Sequence, residues 1–294
     1  MREIVVISGK GGTGKTSITG AFAYLAKDYV VLADCDVDAA DMHLLMKPDF
    51  AKSEVFYSGQ IAEIDQSKCI GCGNCKKVCR FKAIDIIDSK YIVTPLNCEG
   101  CGYCPRVCPT DAIIMKDEIS GDLYHSNTRL GFPMVHAKLK IGSDNSGKLV
   151  AKVKKEGKKT AEENGKQLLL VDGSPGIGCP VVSSLSGADY VVLVTEPSVS
   201  GIHDLQRVYK LVKKFGIKAA CIINKYDINK SVSNEIKEFL DKNDILLLDE
   251  LPYDNVFTKA MIEEKTIVEY FNGEISDKIK NSWKKIIDKI GGLK

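Results

Sequence analysis

No apolar run in this chain approaches the ~18 consecutive residues that a membrane-spanning helix needs, so no segment reads as transmembrane. Excess charge is missing too. Forty-one Lys and Arg stand against 39 Asp and Glu, a formal net charge of +2, which is too little for a nucleic-acid binder held by bulk electrostatics. An export signal is not evident, because the amino terminus enters an apolar strand at once. The remaining composition, 44% hydrophobic and 27% charged over 294 residues, suits a globular chain with one large core and a small satellite domain. A cytoplasmic location is expected.

What the chain has in quantity is cysteine, eleven residues in all. Without an export signal these point to metal ligation rather than disulfides. Eight of them form two copies of one pattern, 29 residues apart: Cys69-x2-Cys72-x2-Cys75-x3-Cys79 and Cys98-x2-Cys101-x2-Cys104-x3-Cys108-Pro109. Each copy runs on into the same tail, Ala83-Ile84 in the first and Ala112-Ile113 in the second. This is the run that holds cubane clusters in bacterial-type ferredoxins, where three closely spaced thiolates take three corners and the fourth comes from the other repeat. Cys69, Cys72, Cys75 and Cys108 are therefore expected to hold one [4Fe–4S] cluster, and Cys98, Cys101, Cys104 and Cys79 the other. A pair of structural zinc sites is the alternative, since CxxC pairs also bind zinc, although zinc knuckles do not need eight cysteines in this repeat. Arg80 follows Cys79 where proline is usual; that bears on the turn, not on the ligand. Such clusters are oxygen-labile, which suits a low-oxygen host.

The chain opens with Glu3-Ile4-Val5-Val6-Ile7, read as a buried parallel strand. It feeds into Ser8-Gly9-Lys10-Gly11-Gly12-Thr13-Gly14-Lys15-Thr16, which matches G-x-x-x-x-G-K-[ST] from Gly9 to Thr16. A helical stretch follows from Ser17 to Lys27. Strand, glycine loop and helix together give the context of a phosphate-binding loop. Backbone N–H groups of Gly11, Gly12, Thr13, Gly14, Lys15, Thr16 and Ser17 are expected to close around a polyphosphate at the helix N-terminus. Lys15 would reach the β- and γ-phosphates of ATP, and the Thr16 hydroxyl would ligate Mg²⁺.

Further along, Tyr29–Asp34 reads as a second buried strand, ending in Asp34-Cys35-Asp36, and a short strand is expected near Glu54–Tyr57. Residues 128–141 carry no clear period. Residues 145–163 read as a lysine-rich helix with a solvated face. Apolar strands follow at residues 167–171, 190–195, 219–223 and 245–248, with helices near 201–215 and 231–242 between the later ones. Strands alternating with helices imply a doubly wound parallel sheet with ligands at the carboxyl ends of its strands. Asp172-Gly173-Ser174-Pro175-Gly176-Ile177-Gly178 closes one such strand. Its aspartate fits a Walker B acid ordering Mg²⁺ through water, and its Pro/Gly run fits a switch that senses the γ-phosphate. A helix N-cap is the structural alternative.

Together these motifs resemble the MinD/Mrp-type P-loop ATPases with an inserted two-cluster ferredoxin domain, and more distantly nitrogenase iron protein and the Nbp35 cluster scaffolds. The resemblance spans essentially the whole chain. It implies an α/β doubly wound parallel-sheet P-loop NTPase with a deviant Walker A motif, divided into residues 1–61, an inserted 62–116, and 117–294. It implies that Lys10 crosses a dimer interface to the nucleotide of the other subunit, and that Asp36 orients the attacking water. Asp38 is a nearby acid. Asn224, in Ile222-Ile223-Asn224-Lys225, matches the adenine-recognising asparagine, and Leu251-Pro252-Tyr253-Asp254 resembles the loop that closes over the base. Thr195-Glu196-Pro197-Ser198 is also similar to the family, without an assigned chemistry.

Cys179 lies seven residues after Asp172, the offset at which nitrogenase iron protein carries an intersubunit cluster ligand. Its second cysteine has no counterpart here, and the paired carboxyl-terminal CxxC of the Mrp/Nbp35 scaffolds is also missing. A small buried thiol is the other reading, with His136 and His125 as co-ligands only if Cys179 binds metal. Cys35 and Cys221 read as core residues. Ile279, Trp283, Ile286, Ile287 and Ile290 have helical spacing, for packing onto the sheet or for the peripheral membrane contact MinD makes.

The expected function is nucleotide-gated electron transfer through two [4Fe–4S] clusters to a redox partner, with ATP hydrolysis in an ATP-dependent homodimer or a heterodimer with a related ATPase. One alternative is an ATP-dependent carrier or assembly factor handing clusters to a client protein. The other is a MinD-like spatial organiser whose clusters sense redox state.

Overall fold

The computed structural model describes residues 1–140 and 146–292. Asn145, the expected first residue of the lysine-rich helix, and Ile141 lie outside the described residues, as do the last two residues of the segment expected to run from 117 to 294. The chain divides into two compact units. The first comprises Met1–Glu54, Leu123–Lys138 and the chain from Ser146 onward, and the second Val55–Asp122 with Leu139 and Lys140.

In chain order the strands are β1 (Arg2–Ile7), β2 (Val30–Asp34), β3 (Lys52–Ile64), β4 (Ile84–Ile87), β5 (Lys90–Val93), β6 (Ile113–Asn127), β7 (Pro133–Leu139), β8 (Leu168–Asp172), β9 (Tyr190–Thr195), β10 (Lys218–Asn224) and β11 (Leu246–Leu251). The helices are α1 (Lys15–Leu25), α2 (Met42–Met46), α3 (Asn74–Val78), α4 (Tyr103–Arg106), α5 (Ser146–Glu163), α6 (Cys179–Leu185), α7 (Val199–Lys214), α8 (Lys230–Lys242), α9 (Val256–Ile262), α10 (Ile267–Tyr270) and α11 (Glu274–Lys289). Nine strands form the main sheet in the order β11-β10-β9-β1-β8-β2-β7-β6-β3. Pairing is parallel from β11 through β7. Residues 128–132 join β6 to β7, too short a link for a parallel crossover, so β6 turns back against β7.

The inner parallel strands are buried on both faces, which is why they read as continuous apolar runs: β2 and β8 are buried at every position. One face carries α1 and α11, where Ile18, Phe22, Ile279 and Ile286 have no exposed surface. Each such apolar side chain contributes roughly 1.5–3 kcal/mol by leaving water. Phe22 and Trp283 stack at 5.1 Å between ring centroids. The apolar stripe of α11 thus packs within its own unit, the first of the two fates its spacing allowed. No helix among the described residues is long and apolar enough to cross a membrane.

One expected strand is longer than its sequence pattern suggested, and another lies where no period was read. The strand expected near Glu54–Tyr57 is β3, and residues 128–141 contain β7. The expected segment limits, 62 and 116, fall inside β3 and β6, which continue past them in regular strand geometry. In the second unit β4 and β5 form an antiparallel hairpin with Ile84 opposite Val93. Its turn holds Asp88 and Ser89 at φ 47° and 61°, the two positive values that a type I′ turn requires.

Candidate functional site

In the first unit, β1, β8, β9, β10 and β2 all end on one edge of the sheet because they run parallel. The glycine loop leaves β1 there and enters α1 through Gly14, its N-cap, at φ 91°. Glycine is required at that position: a Cβ would lie 2.4 Å from Asn224 Nδ2. Asn224 closes β10 and donates from Nδ2 to Thr13 O at 2.8 Å, so the residue matched to adenine recognition is tied to the loop. Thr13 Oγ1 is buried without a hydrogen-bond partner, an orphan that a phosphate oxygen would satisfy.

Lys15 lies against Asp172 Oδ2 at 2.9 Å and Asp36 Oδ2 at 3.4 Å. Thr16 Oγ1 donates to Asp172 Oδ2 at 2.8 Å, and Thr19 Oγ1 to Asp172 Oδ1 at 2.7 Å. Asp172 is therefore held through both oxygens, and the N-cap alternative for it falls away. Thr19 was missed by motif reading because it follows the motif by one turn; its i+3 spacing from Thr16, on the same helix face, was the available signal. Asp34, the register partner of Asp172 on β2, is buried with Oδ2 unpartnered.

Three carboxylates thus crowd one ammonium. Burial alone would lower Lys15, yet Asp172 and then Asp36 outweigh it and hold the ammonium above its ordinary range. Burial, followed by the neighbouring Asp172, pushes Asp34 well above the usual carboxylate range. Burial also raises Asp36, with Lys15 pulling the other way. A divalent cation beside Thr16 and Asp172 would relieve this crowding, so the residues present fit Mg²⁺. Asp38 is exposed.

Lys10 is also engaged. Its Nζ meets Glu196 Oε1 at 2.6 Å and the hydroxyls of Ser198 and Ser200 at 3.0 and 3.1 Å. Pro252 follows β11, and Asp254 accepts from Val256 N at 2.9 Å, so its carboxylate caps the first turn of α9 in this structure. Tyr253 between them is exposed.

The second unit arranges the eight repeat cysteines around two separate cavities. One is lined by Cys69, Cys72, Cys75 and Cys108, with Ile64, Ile70, Tyr91 and Ile113 among the other walls. Cys79, Cys98, Cys101 and Cys104 line the second, with Val78, Phe81, Tyr103 and Met115. Each quartet takes three cysteines from one repeat and the fourth from the other. The repeats match in detail: Ala83 N donates to Cys79 Sγ and Ala112 N to Cys108 Sγ, both at 3.3 Å. Asp65 N bonds Ala112 O while Thr94 N bonds Ala83 O, both at 2.7 Å. The short helices of both repeats start from a glycine in the left-handed region, Gly73 and Gly102. Among the described residues no three His, Cys, Asp or Glu side chains converge on a point that would hold a single metal ion.

The remaining predicted residues separate. Cys35 and Cys221 are fully buried, and burial raises both thiols. Cys179 is exposed at the start of α6 rather than a core thiol, because the Gly/Pro-rich chain before it carries it past the strand ends. His136, by contrast, is buried on β7. Its Nε2 lies 3.0 Å from Ser126 Oγ, and its ring stacks on Tyr124 with Phe50 edge-on. Those contacts account for His136 without a metal. His125 pairs with Glu54 at 3.7 Å.

Sheet, loop and acid define a P-loop nucleotide-binding protein. The chain belongs to the CobQ/CobB/MinD/ParA nucleotide-binding domain family, whose model matches residues 4–267. An uncharacterized protein of Methanocaldococcus jannaschii is 33% identical over 97% of this chain and 96% of its own length. A second from that organism is 32% identical over 78% of this chain and 82% of its own. Among solved structures, the septum site-determining protein MinD from Pyrococcus horikoshii, complexed with Mg-ADP, shares the fold at TM-score 0.61 and 18% identity, covering 99% of this chain and 97% of that one.

Proposed function

We propose that this chain is an ATP-hydrolysing iron–sulfur protein, in which nucleotide state at the first unit gates electron transfer through two [4Fe–4S] clusters in the second. Lys15 would meet the β- and γ-phosphates, Thr16 and Asp172 would hold Mg²⁺, and Asp36 would orient the attacking water. Lys10 would reach the nucleotide of a second subunit, in a homodimer or a heterodimer with a related ATPase. Asn224, Pro252 and Asp254 would surround the base.

The observation that carries the reading is the grouping of cysteines. Cys69, Cys72, Cys75 and Cys108 would hold one cluster, and Cys98, Cys101, Cys104 and Cys79 the other. Such groups supply one-electron transfer when bound. Two cavities, each closed by a thiol borrowed across the repeats, favour this over paired zinc sites. The amides donating to Cys79 and Cys108 sulfurs are the kind of hydrogen bond that tunes cluster potential.

Anaerobic purification with iron and sulfide quantitation, followed by potentiometric EPR with and without Mg-ATP, tests the proposal. About eight iron and eight sulfide per chain are expected, with a nucleotide-dependent shift in the cluster signal. Stoichiometric zinc without sulfide overturns it. One observation favours a second reading as cluster carrier: Cys72 and Cys101 are exposed, leaving one corner of each cavity open to an acceptor. Loss of iron and sulfide to an apo-protein during turnover would select that reading; retention of all eight irons would select electron transfer.

A further inference from the structure

Glu196 follows Thr195, the last residue of β9, beside the phosphate loop, and both its carboxylate oxygens meet lysines of the site. Oε1 meets Lys10 Nζ at 2.6 Å, and Oε2 meets Lys225 Nζ at 2.9 Å. Lys225 in turn donates to Gly12 O, inside the loop, at 3.0 Å. Burial alone would raise Glu196; the hydrogen bonds from Lys10 and Lys225 more than reverse that and keep the carboxyl below its ordinary range. It is therefore an anion at neutral pH, joined to two cations that flank the place where a polyphosphate would lie.

We propose that Glu196 is an internal stand-in for nucleotide phosphate: a positioning residue that holds Lys10 and Lys225 when no nucleotide is bound and must give them up when ATP enters. The inference rests on the reading of the loop as a nucleotide site. A carboxylate offers two oxygens and one charge to the lysines. A triphosphate offers more of both, together with contacts to the loop backbone, so Lys225 transfers to the triphosphate in its own site and Lys10 to the one in a second subunit. The exchange leaves both cations paired before and after it, which avoids the lasting cost of an unpartnered charge at a half-buried site. It also sets a threshold, because binding must first break two ion pairs.

The surroundings restrict the motion to the lysine. Ser198 touches Lys10, but its Oγ also accepts from Gly201 N at 3.0 Å and caps α7. The cap does not depend on Lys10, so α7 keeps its N-terminal turn when the lysine leaves. Lys10 can then swing outward on its own four-carbon stem, which is what a contact with a nucleotide in a second subunit requires. Thr195-Glu196-Pro197-Ser198 thereby acquires a chemistry that the motif alone did not supply: an acid for the lysines, then a cap for the helix.

The test compares wild type with Glu196→Gln, which preserves shape and removes the charge. ATP affinity is measured by calorimetry, and ATP-dependent self-association by light scattering. Glu196→Gln is expected to bind ATP roughly threefold to tenfold tighter and to associate at correspondingly lower ATP. The gain is expected to disappear when Lys10 and Lys225 are both alanine, an outcome that a merely structural role would not produce. Glu196→Asp, too short to bridge both lysines, is expected to fall between and serves if the glutamine variant unfolds, as judged by thermal melting without nucleotide. Equal or weaker binding in a folded variant, or a gain that survives loss of both lysines, overturns the proposal. Wild-type protein that binds ATP no better than Lys15→Ala would overturn the nucleotide reading instead, so the two failures are distinguishable.

Discussion

The two units reach their structures by different means. In the first, strands buried on both faces and helices such as α1 and α11 bring a large set of aliphatic and aromatic side chains out of water. In the second, the buried cluster is Ala62, Ile64, Cys75, Ile84 and Ile113, with Cys69, Cys79, Cys98, Cys104 and Cys108 packed against it. Ile70, Phe81, Ile86, Ile87 and Tyr103 remain exposed. A unit of that size has little apolar surface to bury, and its candidate metal ligands occupy the places where a larger domain would put leucine and isoleucine. The lesson is that one unit carries its site on a preformed scaffold, whereas in the other the site and the scaffold are the same residues. For such a unit, binding of the proposed clusters would be part of its folding free energy.

The two units are expected to part most visibly on removal of the proposed clusters. Treating the anaerobically purified protein with oxidant and chelator is expected to make the second unit susceptible to limited proteolysis, while the first still binds nucleotide. Equal resistance of both units would end the contrast. Cys79→Ala and Cys108→Ala sharpen it: each is expected to damage mainly the cluster of the opposite repeat, seen as loss of about half the iron with EPR changes confined to one signal.

Next in size, Lys15→Ala is expected to weaken ATP binding by about thirtyfold or more, because it leaves Asp172 and Asp36 without their counter-ion and the phosphates without a cation. Calorimetry measures this, and iron content in the second unit is expected not to change. Asp36→Ala is expected to keep ATP binding while slowing hydrolysis; turnover at the wild-type rate would remove its assigned role.

Two smaller effects belong to the first unit alone. His136 is pushed down to about 4, chiefly by burial and then by His43 and His125. The unfolded chain takes up this proton near 6.5 and the folded one resists until about 4, so stability falls as pH drops through that window, by about 3 kcal/mol in total. Denaturant titrations across that range are expected to show the slope in wild type and a flatter line in His136→Gln. Thr19→Val removes the donor to Asp172 Oδ1 and is expected to cost about 1–3 kcal/mol of stability, with a smaller loss of ATP affinity than Lys15→Ala.

The parallel strands of the first unit were legible because burial on both faces forces unbroken apolar runs, as in Leu168–Asp172 and Tyr190–Thr195. Strands β6 and β7 were not, because β6 mixes polar and apolar residues along fifteen positions, without the run or strict alternation that marks a strand. Site residues within the glycine motif were readable from local spacing alone. Thr19 and Glu196 were not, because what they do depends on partners 153 and 186 residues away: Asp172 for the one, Lys10 for the other.

By itself, the sequence determined the groups that chemistry requires at short range: a loop whose glycines admit backbone donors, a lysine and threonine at its end, and eight cysteines in two equal repeats. Local spacing specifies these because each depends on conformations a few residues long. Only the tertiary structure decided which groups share a partner. It put Asp34, Asp36 and Asp172 around Lys15 and placed Glu196 between Lys10 and Lys225. Those arrangements come from strand order and chain crossing, where β8 enters between β1 and β2, and no short stretch of sequence encodes a neighbour that arrives from more than a hundred residues away.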